Sequence, residues 1–146
     1  MLKFLKKNRF TIAAAATGLV LIAIIIGFHS IDSAKNAEVT EYIESLGWQI
    51  EPNSLEISHM RIPSTFDPVF EHYNERQKEA GFDLTAYKGA RAVRYSYIIL
   101  NHTHSESATV RANAIVVNRK IVAADVSSTA GGGFMHAITD TDFIVR

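Results

Sequence analysis

Val93-Arg94-Tyr95-Ser96-Tyr97-Ile98-Ile99 and Val110-Arg111-Ala112-Asn113-Ala114-Ile115-Val116 each place an apolar side chain at every second position. A period of two is the mark of an extended strand with one face buried. Val122, Ala124 and Val126 form a third set of the same kind. Arg94, Ser96, Arg111, Asn113 and Asp125 fall on the alternate positions and predict a partly wet opposite face or an exposed edge. Between the last two sets, Asn118-Arg119 reads as a tight hairpin connection because Asn tolerates positive φ, although Arg is less apt than Gly as its second residue. The three sets together predict an antiparallel meander.

Upstream, the period changes. Val39, Tyr42, Ile43 and Leu46 recur at i, i+3, i+4 and i+7, which predicts a helix over about 34–46, capped by Asp32 or Ser33 and ended by Gly47. Trp48-Gln49-Ile50 and Leu55 to Ile62 read as two short strands separated by the turn-prone Glu51-Pro52-Asn53-Ser54. The apolar parity switches near His59, so a bulge is expected there. Asp67-Pro68 then supplies an N-cap and a first helical residue. Val69, Phe70, Tyr73, Gln77 and Ala80 form an inward stripe, and Gly81 closes the helix. Two helices on one antiparallel sheet give an α+β sandwich.

Thr11 to Phe28 carries no charged residue and follows Lys3, Lys6, Lys7 and Arg9. At helical rise the run reaches roughly 27 Å, close to the hydrocarbon thickness of a bilayer. It exceeds the usual secretory apolar region of about 7 to 15 residues and lacks a clean small-x-small cleavage site, so an uncleaved anchor is expected. The cations precede the run, which places residues 1–10 in the cytoplasm and residues 29–146 outside it, at the cell membrane. The organisation expected is thus an N-terminal transmembrane helix, 11–28, followed by a small antiparallel-sheet domain with two packed helices.

Of the fifteen Lys and Arg residues, the four before the run leave eleven against fifteen Asp and Glu in the rest of the chain, a formal charge of −4. Such a balance is a poor match to nucleic acid or to anionic lipid surfaces. The absence of cysteine excludes disulfides, a thiol nucleophile, thiolate metal sites and a lipidated cysteine.

The ordered set Leu46-Gly47-Trp48, Ile62-Pro63-Ser64-Thr65-Phe66-Asp67, Tyr73-Asn74-Glu75-Arg76-Gln77-Lys78, Gly81-Phe82-Asp83-Leu84, Tyr87-Lys88-Gly89 and Gly133-Phe134-Met135-His136 resembles the bacterial family called domain of unknown function 4830. The resemblance reaches from about residue 41 to 138. It implies a small membrane-anchored or exported domain of Gram-positive bacteria and brings no catalytic residue with it. At Ala137 the chain departs from the family pattern, in which a glycine commonly follows the Phe-Met-His stretch.

Three groups of residues could carry chemistry. His102 and His104 could share one strand face and hold zinc or copper, with His59, His72 or His136 as a distant third ligand; the plainer reading is an exposed connection after Leu100. Gly131, Gly132, Gly133, Phe134, Met135 and His136 could frame a peptide or small-ligand groove with Asp125 and a nearby tyrosine, or simply form a turn that folds Phe134 and Met135 onto the sheet. No Lys-Ser/Thr follows the glycines, so they make no phosphate loop. Asp125, Ser127, Ser128 and His136 supply triad residue types without a Gly-x-Ser-x-Gly elbow. Asn101-His102-Thr103 matches a glycosylation sequon, meaningful only in a suitable secretory pathway.

No cofactor is predicted. The function expected is that of a noncatalytic, membrane-tethered interaction or ligand-binding domain contacting an envelope protein or a small ligand. A surface hydrolase or metal-dependent enzyme using the late His/Asp/Ser cluster is the alternative, and activity of His136→Ala separates the two.

Overall fold

The computed structural model describes residues 36–130 and 132–145. The anticipated anchor at 11–28, its basic flank at 1–10 and the cap at Asp32 or Ser33 lie outside them. No helix among the described residues is long and apolar enough to cross a membrane.

The domain is α+β: five antiparallel strands in sequential order with two helices. Helix α1 covers residues 36–45. It is followed by β1 (Glu56–Arg61), α2 (Pro68–Glu79), β2 (Arg91–Ile98), β3 (Arg111–Val117), β4 (Lys120–Ser128) and β5 (Phe134–Ala137). The meander follows from the period-two sets. Asn118 and Arg119 join β3 to β4 with φ of 47° and 67°, the left-handed pair that a two-residue hairpin matched to strand twist requires.

Each face of the sheet carries a packed apolar cluster. On one, Val39 and Ile43 of α1 and the indole of Trp48 pack against Tyr95, Tyr97, Ala112 and Val126. The indole Nε1 donates to the Ile138 carbonyl at 2.8 Å, so this large ring is buried with its polar atom satisfied. On the other face Phe70 and Tyr73 of α2, with Leu84 and Ile62, cover Ala92, Ile115 and Ala123.

Helix α2 begins and ends as its sequence dictates. Asp67 Oδ1 accepts from Phe70 N at 2.7 Å, and Pro68 opens the first turn. Gly81, at φ +81°, lets its own N–H reach Lys78 O while Phe82 N–H reaches Gln77 O, a Schellman closure. Val69, assigned to the inward stripe, is instead 79% exposed. Asn74 and Gln77 are the buried residues of the helix. Asn74 Oδ1 accepts from Leu84 N and its amide donates to Asp83, stitching the helix to the short turn that follows.

Other readings need correction. The bulge expected near His59 is absent, because β1 pairs with β2 without interruption from Glu56 to Arg61. The irregularity lies in β4: Ile115 faces Ala123 but Val116 faces Ile121, so Val122 is the extra residue. Val122 therefore joins Ala123 on the α2 side while Ala124 and Val126 stay on the α1 side. Trp48 to Ile50 forms no strand beyond a single bridge from Ile50 to Ile99.

Candidate functional site

A groove of about 540 Å³ opens between α2 and the sheet. Its floor draws one residue from every strand: Met60, Arg94, Ile115, Asp125 and Met135, in the order β1 to β5. Its wall is α2, through Val69, Phe70, His72, Tyr73 and Arg76. On the same face Arg94 is exposed and Arg111 half-buried, whereas Ser96 is buried.

Beneath the groove lies a closed polar network. Tyr73 donates to Asp125 Oδ2 at 3.0 Å, and Asn113 Nδ2 donates to Asp125 Oδ1 at 2.8 Å and to Ser127 Oγ at 2.9 Å. Asn113 Oδ1 in turn accepts from Ser96 Oγ at 2.6 Å and from Arg94 Nη2 at 2.8 Å. Burial pushes the Asp125 carboxyl above its usual range, against the opposing pull of Asn113, Tyr73, the Arg94 charge and Ser127. The Tyr73 phenol is likewise pushed far up, first by burial and then by the Asp125 charge. Both carboxyl oxygens already accept hydrogen bonds. Asp125 thus serves as a structural keystone of the network rather than as a free base.

The residues anticipated as one corner are divided by the sheet. Asp125 and Met135 lie on the α2 face, whereas β5 alternation sends Phe134 and His136 to the other. Gly131 lies outside the described residues. Gly132, at φ +85°, and Gly133 form the β4–β5 turn; a Cβ on Gly133 would sit 2.8 Å from the Ser128 carbonyl oxygen. Phe134 to Ala137 then continues as a fifth strand rather than as a turn. Ser128 Oγ donates to the Thr109 carbonyl, and Asp125 and His136 face away from each other. No triad geometry arises.

His102, read as exposed, is buried among rings. Its imidazole stacks on Phe134 at 4.9 Å and on Phe143 at 5.4 Å, with Trp48 at 6.0 Å. Its Nε2 meets His136 Nε2 at 3.2 Å. The His104 backbone N–H donates to His102 Nδ1, and His136 Nδ1 faces the Ala137 carbonyl at 2.9 Å. Only one assignment satisfies all three contacts: His102 carries its proton on Nε2 and donates to His136, which carries its own on Nδ1. Both His102 nitrogens are thereby engaged, Nδ1 by the His104 backbone N–H and Nε2 by His136, and neither is left bare for a metal. Burial, reinforced by His136 and then His104, holds the His102 imidazole down to about 4. His104 remains exposed beside Thr103, and among the described residues no three His, Asp or Glu side chains converge as a metal cluster.

Asn101 is also committed. Its Oδ1 accepts from Gln49 N and its amide donates to the Gly47 carbonyl, both at 2.9 Å, which leaves the sequon nitrogen inside the fold.

The groove residues outside the anticipated set, Met60, Val69, Phe70, Arg76, Arg94 and Ile115, carry no functional motif. The legible trace was the alternation that set Arg94 and Asp125 on one face.

A family model described as Domain of unknown function (DUF4830) matches residues 42–126. No curated protein and no solved structure matches the chain.

Proposed function

The chain belongs to the DUF4830 family, and from that premise we propose that it is a noncatalytic ligand-binding domain, held at the cell membrane by residues 11–28 and presented outside the cytoplasm. Its ligand lies in the groove between α2 and the sheet. The observation that carries this reading is the exposure of Val69, at 79%, and Met135, at 44%, on facing sides of one depression. Large apolar side chains left open together, over a largely apolar hollow with a few fixed polar groups, are what a binding site offers and what a closed core does not. The hydrolase reading requires Asp125 beside His136 and has no such support.

A photo-crosslinking amino acid at position 69 in intact cells tests the site. It is expected to give an adduct that Met135→Trp suppresses, while the same group at Glu71, an exposed position outside the groove, gives none. Equal labelling at both positions, or labelling indifferent to Met135→Trp, would overturn the groove. Externally added protease tests the topology: digestion of the domain in intact protoplasts is expected, and full protection refutes the outward orientation.

A further inference from the structure

We propose that the ligand of this groove is a linear aliphatic carboxylate, its chain laid along the groove floor and its head group held between Arg94 and Arg111. The inference rests on the groove reading above and adds the chemistry of what fills it.

Length and lining favour an unbranched chain. A floor with one residue from each of five strands spans four interstrand steps, about 19 Å at the usual spacing. Met60 stands on one edge strand and Met135 on the other, with Ile115 between them. Methionine is flexible and polarisable, and it conforms to a chain that presents no fixed shape.

The head group is read from the β1–β3 end. Arg94 also lines an adjoining depression of about 410 Å³ with Glu56, Ser58, Ser96 and Arg111. Arg111 Nη2 donates to Glu56 at 2.9 Å, but its Nη1 is buried without a hydrogen-bond partner. Arg94 has committed Nη2 to Asn113. In this depression two guanidinium groups face one carboxylate, Glu56. Asp125, behind Asn113, offsets the Arg94 charge only in part because burial favours its neutral form. Positive charge and an unsatisfied donor are left side by side. A monoanion with planar, paired acceptor oxygens answers both, and guanidinium geometry suits carboxylate. A buried donor without an acceptor is costly, so a group that satisfies it adds affinity.

The test uses the full chain in phosphatidylcholine nanodiscs with ¹³C-methyl methionine. The sequence holds three methionines, two of which, Met60 and Met135, line the groove. Octanoate, octanol and octylammonium are titrated in turn. An eight-carbon chain is shorter than the groove floor, so saturable shifts of at least one groove methyl with octanoate are expected, with octanol at least tenfold weaker and octylammonium without effect. Arg94→Gln and Arg111→Gln should each weaken octanoate at least tenfold and leave octanol unchanged, while Arg94→Lys, which keeps the charge but not the paired donors, recovers only part of the affinity. The methyl spectrum of each variant reports whether the fold is intact. Octanol binding as tightly as octanoate, or octanoate indifferent to both Gln variants, overturns the carboxylate assignment and leaves the groove standing. Failure of every probe to move Met60 and Met135 overturns the groove itself.

Discussion

His102 and His136 form a directed pair: the Nε2–H of the first donates to the bare Nε2 of the second across 3.2 Å, and each outer nitrogen is fixed by backbone. Nitrogen-resolved NMR should therefore find two different neutral tautomers, Nε2–H at His102 and Nδ1–H at His136. The same tautomer at both rings would dismantle the pair.

Acid acts through this pair with a defined sign. His102 titrates at about 4 in the fold, against about 6.5 in the unfolded chain. Between those values the unfolded state binds a proton that the native state does not, so stability falls as pH falls from 6.5 toward 4. Melting temperatures across that window should show the decline, and His102→Phe, which keeps a ring in the stack, should flatten it.

Asp125 has the opposite sign. Its carboxyl is raised above 3.8, so in the window above that value the native state retains a proton that the unfolded state has lost, and its contribution declines as pH rises through the folded titration. Asp125→Asn removes this dependence. The amide can still accept from Asn113, and Tyr73 can turn its hydroxyl to accept. The variant is expected to melt no lower than wild type at pH 8, and a collapse of stability there would contradict the view of Asp125 as a buried structural group.

Gly133→Ala should destabilise the domain by about 1 to 3 kcal/mol, since the new methyl meets the Ser128 carbonyl at 2.8 Å and the turn must shift. Denaturant titration gives the value. A neutral result would mean that the β4–β5 turn yields freely.

Trp48→Phe deprives the Ile138 carbonyl of its buried donor and should cost about 1 to 3 kcal/mol by the same measurement.

The local signals carried most of the architecture. Tyr95, Tyr97, Ala112, Ala114 and Val126 face the core that their alternation assigned, and Asp67, Pro68 and Gly81 bound α2 as their backbone preferences require. What local pattern cannot contain is the placement of one element over another. Val69 looks inward on a helical wheel, yet α2 packs on the sheet through Phe70 and Tyr73 and leaves that residue open. Val122 follows its strand's parity until a bulge turns it over. His102 is short-range polar sequence, and Trp48, Phe134 and Phe143, each more than thirty positions away, make it an interior ring. The groove is the extreme case, for its floor exists only once five separate strands stand side by side.

The two-residue link at Asn118 and Arg119 closes β3 on β4 at little cost in chain entropy, whereas Arg61 finds its neighbour Arg91 only after thirty positions of intervening chain. On loop-closure grounds the central hairpin is expected to form first, and the edge strand β1 to dock late and fray early. Because Met60 belongs to that strand, the groove proposed above as a binding site is complete only when the sheet has closed to its edge, and occupancy would then gauge whether the whole sheet has formed.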